Sequence, residues 1–137
     1  MRAAGVVIRE RRVADIGTGT GLLGFAAMKL WSYAECTGSD IDAVCAEVVE
    51  ANAELNGITL GRNRGQMTMV IADGMDNELL QLRGPYDLLI ANILAGPLVE
   101  LAPDFAASVS PGGSVLLAGL LAGEQESAVR RAYRRAG

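Results

Sequence analysis

The sequence predicts an α/β fold, a doubly wound and mainly parallel sheet of about five strands with helices on both faces. Three observations lead there. Short apolar runs bounded by Gly, Pro or Asp alternate with longer stretches in which apolar residues return at helical spacing, as in repeated strand-helix-strand units. The run Val13-Ala14-Asp15-Ile16 passes into Gly17-Thr18-Gly19-Thr20-Gly21 and then into Leu22, Leu23, Phe25, Ala26 and Ala27, which reads as a buried strand turning sharply into a helix. Finally, Gly17 to Gly21, Asp40, Asp73 and Asn92 fall at the ends of four predicted strands, where sheets of this kind bind their ligands.

Each element follows from its own residues. Residues 1 to 12 read as the tail of a helix. Val13 to Ile16 is the first strand, and a helix runs from about Thr20 to Ser32 with Leu22, Leu23, Ala26, Ala27, Leu30 and Trp31 turned to the sheet. Ala34 to Ser39 is a second strand, closed by Asp40-Ile41-Asp42. A helix with Val44, Cys45, Val48 and Leu55 as its apolar stripe follows and stops at Asn56-Gly57. Ile58 to Gly65 reads as a polar loop and Gln66 to Ala72 as a strand ended by Asp73-Gly74. Met75 to Leu82 can form a short helix, Gly84-Pro85 forces a turn, and Tyr86 to Ala91 is a buried strand running into Asn92. In the next helix Pro97 suits the first turn, Leu98, Leu101, Ala102 and Phe105 repeat helically, and Pro103 should kink or restart it. Pro111-Gly112-Gly113 is a tight turn before a fifth strand, Ser114 to Ala118, and Glu124 to Ala136 is a charged helix.

Composition bounds the rest. The 137 residues hold one domain with a real core and leave no room for a second of ordinary size. Half are hydrophobic and one fifth charged, and every apolar run breaks well short of the roughly 20 residues of a membrane span. No secretory signal is visible at the start, so the cytoplasm is the expected compartment and no membrane is an expected partner. Cys36 and Cys45 are too few for a disulfide framework or a zinc site, and with no histidine in the chain no metal is expected. A net charge of −4 argues against direct nucleic-acid binding, which relies on clustered Lys and Arg. Arg130, Arg131, Arg134 and Arg135 read as a solvated helix face.

The helix opening after the glycine turn favours an anionic group above it, hence a nucleotide-like cofactor. Asp40, 19 residues beyond Gly21, can accept both hydroxyl hydrogens of a ribose, which suits NAD or S-adenosyl-L-methionine. Asp42 is then free to cap the following helix. Gly19-Thr20-Gly21-Leu22-Leu23-Gly24 satisfies the dinucleotide pattern G-x-G-x-x-G. In the other register, Asp15-x-Gly17-x-Gly19-x-Gly21 resembles motif I of the class I S-adenosylmethionine-dependent methyltransferases, whose fold is Rossmann-like. Thr37-Gly38-Ser39-Asp40 resembles their ribose motif, Ala72-Asp73-Gly74 the motif whose Asp meets the adenine amino group, and Pro111-Gly112-Gly113 the turn before strand five.

Ala91-Asn92-Ile93-Leu94-Ala95-Gly96-Pro97-Leu98, with Ser39-Asp40-Ile41-Asp42, Asn52-Ala53-Glu54-Leu55-Asn56-Gly57 and Gly119-Leu120-Leu121, is similar to the ribosomal protein L11 methyltransferase family. The resemblance runs from about Val13 to the end. It implies methyl transfer from S-adenosyl-L-methionine to amino groups of a protein, with ribosomal protein L11 as substrate and partner. It also implies a cofactor site made of Asp15, Gly17, Thr18, Gly19, Gly21, Asp40, Ile41, Asp73 and Asn92. Asn92 doubles as the catalytic position, because its side-chain oxygen and nearby carbonyls can accept amine hydrogens. Asp15 either holds the methionine amino end or caps the turn. Ala118 departs from the serine expected before Gly119-Leu120-Leu121. The family's recruiting domain, the segment before motif I and the final strand hairpin have no counterpart here, so the chain reads as a catalytic domain truncated at both ends. Alternatives are a cofactor-binding fragment without activity, a small-molecule or nucleic-acid amine methyltransferase, and an NAD-dependent dehydrogenase domain. Without the final strands an apolar edge beside the fifth strand should drive self-association, which a monomeric species at high concentration would contradict.

Overall fold

The structure, a computed structural model, describes residues 2–3, 6–7, 12–93, 95–118 and 131. Most of the charged helix expected over 124–136 lies outside the described residues, as do Gly119-Leu120-Leu121. In chain order the elements are β1 (Arg2–Ala3), β2 (Val6–Val7), β3 (Arg12–Ile16), α1 (Leu22–Leu30), β4 (Glu35–Asp40), α2 (Val44–Leu55), β5 (Thr59–Leu60), β6 (Gln66–Ile71), α3 (Glu78–Arg83), β7 (Tyr86–Asn92), α4 (Ala95–Ala107) and β8 (Val109–Ala118). The first two form a small antiparallel ladder where the sequence suggested the tail of a helix. The other strands make one sheet in the order β5-β6-β4-β3-β7-β8, every neighbouring pair parallel.

Alternation along β3 assigns the two faces. Val13 packs with Phe25 and Met28 of α1 and Val49 and Ala53 of α2, while Ala14 and Ile16 pack with Leu80 of α3 and Leu98 and Phe105 of α4. Helices therefore cover both faces, as a parallel sheet requires. After β3 the chain steps outward through β4 and β6, then returns to place β7 on the other side of β3. That reversal lies between β3 and β7, and it opens a crevice at the carboxyl ends of the strands.

Several elements differ from the sequence reading for local reasons. Within the expected polar loop, Thr59 and Leu60 pair with Gln66 and Met67. This gives a sixth strand, extended by Gly61 N–H donating to the Met67 carbonyl at 2.8 Å and by Thr68 Oγ1 donating to the Gly61 carbonyl at 2.7 Å. The expected turn at Pro111-Gly112-Gly113 is a bulge inside a longer strand. There Asp87 alone stands opposite Ser110 to Gly113, between the Tyr86–Val109 and Leu88–Ser114 pairs. Pro103 sits within α4 without ending it. Short α3 starts at Asn77, whose side chain accepts the Leu80 N–H at 3.1 Å, later than Met75.

The faces of α1 and α2 are rotated from expectation. Leu22 and Leu30 are exposed, and Gly24, Phe25, Ala27 and Met28 face the sheet. On α2, Val44 and Leu55 are exposed, whereas Val49 and Ala53 are buried. Small residues, Gly24, Ala27 and Ala53, share the buried faces with Phe25, Met28 and Val49, while Leu22, Leu30 and Leu55 point away.

Phe105, fully buried among Ala14, Leu80, Leu89 and Leu98, anchors the opposite layer. Phe105→Ala should lower unfolding free energy by about 3–5 kcal/mol in chemical denaturation with an unchanged denaturant slope. A loss below about 1 kcal/mol would show that α4 is not packed as described.

Candidate functional site

The glycine turn begins where β3 ends. Thr18 N–H donates to the Ser39 carbonyl at 2.8 Å, and Gly21 N–H to the Thr18 carbonyl at 3.0 Å, so the turn is bonded both to the neighbouring strand and to itself. Gly17 and Gly19 have φ of 70° and 58°, the left-handed region that side chains resist. A Cβ at Gly17 would fall inside the Ile93 side chain, whereas one at Gly19 would meet nothing within 4 Å. The backbone at Gly19 therefore borders open space that a ligand can approach.

Asp15 sits under this turn with no exposed surface. Its Oδ2 accepts Thr18 Oγ1–H at 2.6 Å and Gly24 N–H at 2.9 Å, and its Oδ1 has no partner. Burial raises its pKa above the ordinary carboxylate value, the Thr18 and Gly24 bonds pull the other way, and the charge of Asp40 adds to the rise. Gly24 belongs to the first turn of α1, so the carboxylate caps that helix from inside the sheet.

Asp40 ends β4 half-buried. Its Oδ2 accepts Gly19 N–H and its Oδ1 accepts Asp42 N–H, each at 3.0 Å. A carboxylate has about four acceptor positions, so room remains for two hydroxyl donors. Asp42 Oδ1 accepts Val44 N–H at 3.0 Å and so caps α2, which leaves Asp40 to the site. Asp73 is exposed beyond β6 and begins a turn in which Asp76 N–H donates to its carbonyl at 3.0 Å. Asn92 ends β7, also exposed.

A cleft of about 350 Å³ collects these strand ends. It is lined by Ile16, Gly17, Asp40, Ile41, Ala72, Asp73, Gly74, Asn92, Ile93 and Leu101. Of the residues singled out in the sequence, Gly17, Asp40, Ile41, Asp73 and Asn92 form its wall. Asp15, Thr18, Gly19 and Gly21 do not line it; they build the turn that borders it. Sequence reading gave Ile93 only as part of the segment after Asn92 whose carbonyls can accept amine hydrogens and Leu101 only as part of a helical repeat, and it missed the role of Asn52. The Asn52 Nδ2–H donates to the Thr20 carbonyl at 3.0 Å, pinning the turn from α2, a contact that its place in the segment Asn52 to Gly57 does not signal.

A family model described as Ribosomal protein L11 methyltransferase (PrmA) matches residues 4–137. The ribosomal protein L11 methyltransferase of Sinorhizobium fredii is 44% identical over 125 residues, 91% of this chain and 40% of the relative. That of Caulobacter sp. (strain K31) is 41% identical over 123 residues, 90% of this chain and 40% of the relative. The chain thus spans about two fifths of the length of these curated relatives. The crystal structure of the ribosomal protein L11 methylase from Lactobacillus delbrueckii subsp. bulgaricus matches with a TM-score of 0.73 at 28% identity, over 94% of this chain and 61% of that one. Precorrin-6y C5,15-methyltransferase from Geobacter metallireducens GS-15 shares the fold, with a TM-score of 0.74 at 16% identity over 95% of this chain and 64% of that one.

The desolvated Asp15 gives a pH signature. At pH below its unfolded value both states hold the proton and the group contributes nothing. Above that value the unfolded chain releases the proton first, so the folded state loses stability until pH passes the raised folded pKa. Asp15→Asn should therefore gain stability relative to the parent as pH rises through that window and then level off, as read by urea melts in a pH series. A difference between the two proteins that does not change with pH would show that Asp15 is not desolvated.

Proposed function

We propose that this chain, which belongs to the ribosomal protein L11 methyltransferase family, holds S-adenosyl-L-methionine and presents its methyl group to amino groups of ribosomal protein L11. The reading rests on one observation. Gly17, Asp40, Ile41, Asp73 and Asn92, brought from four strand ends, line a single cleft beside a bonded glycine turn.

The residues fit that cofactor. Space above Gly19 admits a polar chain end next to backbone amides. Asp40 has acceptor positions left for two ribose hydroxyls. Ile41, Ile93 and Leu101 offer apolar walls to a flat purine, and the Asp73 carboxylate suits its amino group. Once bound, the cofactor supplies a methyl group on a positively charged sulfur.

The chain's own part is placement. Asn92 accepts amine hydrogens at its side-chain oxygen and its main-chain carbonyl, turning the nitrogen lone pair toward the methyl; holding reactants in line is where most of the acceleration of a direct displacement originates. The amine must arrive neutral, although a lysine amine has a reference pKa of about 10.4. With no histidine in the chain, solvent or a carboxylate takes the proton. The work belongs to the cytoplasm and needs no direct contact with nucleic acid. Family membership sets aside the dehydrogenase register of the glycine pattern.

A second reading, a cofactor-binding unit that is inactive alone, is favoured by the chain's spanning only 40% of the relatives it matches. Calorimetric titration with S-adenosylhomocysteine should show binding that Asp40→Ala weakens at least about tenfold, ~1.4 kcal/mol; no heat from the parent overturns the cofactor assignment. Tritium transfer from labelled cofactor to purified L11 then separates the two readings. Tight binding without labelling leaves only the binding unit.

A further inference from the structure

We propose that Leu101 is the partition that sets the size of the adenine compartment, separating it from an acidic cleft behind. The proposal rests on the reading of the first cleft as the S-adenosylmethionine site, and adds the residue that limits which nucleosides enter it.

Two clefts meet at Leu101. The first is the one lined by Gly17, Asp40 and Asn92; the second, about 440 Å³, lies between α3 and α4 and is lined by Asp76, Gln81, Asp104 and Ser108 among others. Among the described residues, only Asp73 and Leu101 belong to both walls. Asp73 contributes a carboxylate at the surface, so Leu101 supplies the apolar bulk of the divide.

The leucine is held on its core side. It lies mid-way along α4 and packs against the core cluster of Leu80, Leu98 and Phe105. Its tip sits over Gly74, where an added Cβ would come within 2.8 Å of Cδ2 and 3.2 Å of Cδ1. Leu101 thus fills the volume that a side chain at 74 would take. Gly74, at φ 59°, is fixed both by its backbone and by this contact.

The consequence concerns the adenine amino group. Placed at Asp73, it faces the partition, and a substituent on that nitrogen collides with Leu101. With the leucine cut back, the substituent passes into the second cleft. Conversely, a methyl group added at Gly74 pushes Leu101 into the compartment and crowds the unsubstituted purine.

The test measures calorimetric binding of S-adenosylhomocysteine and its N6-benzyl derivative to the folded full chain. The parent should bind the first and bind the second at least about 100-fold more weakly, within the range a shape-selective pocket achieves. Leu101→Ala should bind the benzyl derivative at least about tenfold tighter than the parent does, and Leu101→Val, which conserves more of the core, about threefold tighter. Gly74→Ala should weaken S-adenosylhomocysteine about tenfold, and adding Leu101→Ala to it should restore the part of that loss that comes from the contact and not the part that comes from the left-handed backbone at Gly74, the coupling expected of two residues in contact. Equal acceptance of both ligands by the parent overturns the proposal. So does a failure of either Leu101 variant to gain the benzyl ligand while it still binds S-adenosylhomocysteine. A parent that binds neither ligand defeats the cofactor reading itself, an outcome distinct from these.

Discussion

The carboxylate of Asp15 lies inside the sheet and takes two hydrogen bonds on one oxygen, from Thr18 Oγ1 and the Gly24 amide. One donor belongs to the glycine turn and the other to the first turn of α1, so one buried group ties the end of β3 to the start of α1. The arrangement costs stability, because a charge without exposed surface keeps an unpartnered Oδ1. The positive end of α1 offsets part of that cost. It also dictates the sequence around it: a Cβ at Gly24 would come within 2.9 Å of Asp15 Oδ2 and 2.5 Å of Met67 Cε. The glycine there is required by crowding against the sheet, not by its place in any dinucleotide pattern.

From this turn the site spreads sideways through Asp40. Its side chain receives Gly19 N–H from the turn, and its carbonyl receives Ala72 N–H at 3.0 Å from the end of β6. One residue therefore ties the carboxyl ends of three neighbouring strands. Asn52 reaches from α2 to the Thr20 carbonyl, and Lys29 Nζ reaches from α1 to the Asn56 carbonyl at 3.0 Å. A ligand resting on the turn meets a surface braced from below, from the side and from the neighbouring helix. Preorganisation of this kind lowers the ordering cost of binding.

Most of the sheet was legible in the sequence because short, largely apolar runs such as Val13 to Ile16 and Tyr86 to Ala91, each carrying a single Asp, are bounded by turn residues. The strand-end residues were legible because the chain must place chemistry where the strands stop; Gly17, Asp40, Ile41, Asp73 and Asn92 do line one cleft. Helix faces were not. In α1 and α2 the buried faces include Gly24, Ala27 and Ala53 beside Phe25, Met28 and Val49; the small residues count little in a pattern of large apolar side chains, while Leu22, Leu30 and Leu55 advertise a face they do not use. β5 escaped because two residues give no periodicity, and its bonding depends on Thr68 and Met67 farther along the chain. Leu101 was read correctly as helical core, yet its second role needs the position of Gly74, which no local pattern supplies.

The contact between Gly17 and Ile93 bears on how the two ends of a methyl transfer are kept in line. Gly17 belongs to the turn beside the cofactor cleft, and Ile93 follows the asparagine that would receive the amine. At Gly17 an added Cβ would fall inside the Ile93 side chain and lie 3.1 Å from the Asn92 carbonyl oxygen, so the Ile93 side chain packs directly on the Gly17 backbone. β3 and β7 are also direct neighbours in the sheet, with Ile16 opposite Ala91. A shift of one loop is therefore felt by the other at van der Waals range, where close-packed atoms transmit displacement instead of absorbing it. For a displacement that depends on alignment over a fraction of an ångström, this contact couples the glycine turn to the strand end proposed to receive the amine. Asn92 at the end of β7 meets the glycine turn on the side opposite Asp40, because β7 and β4 flank β3.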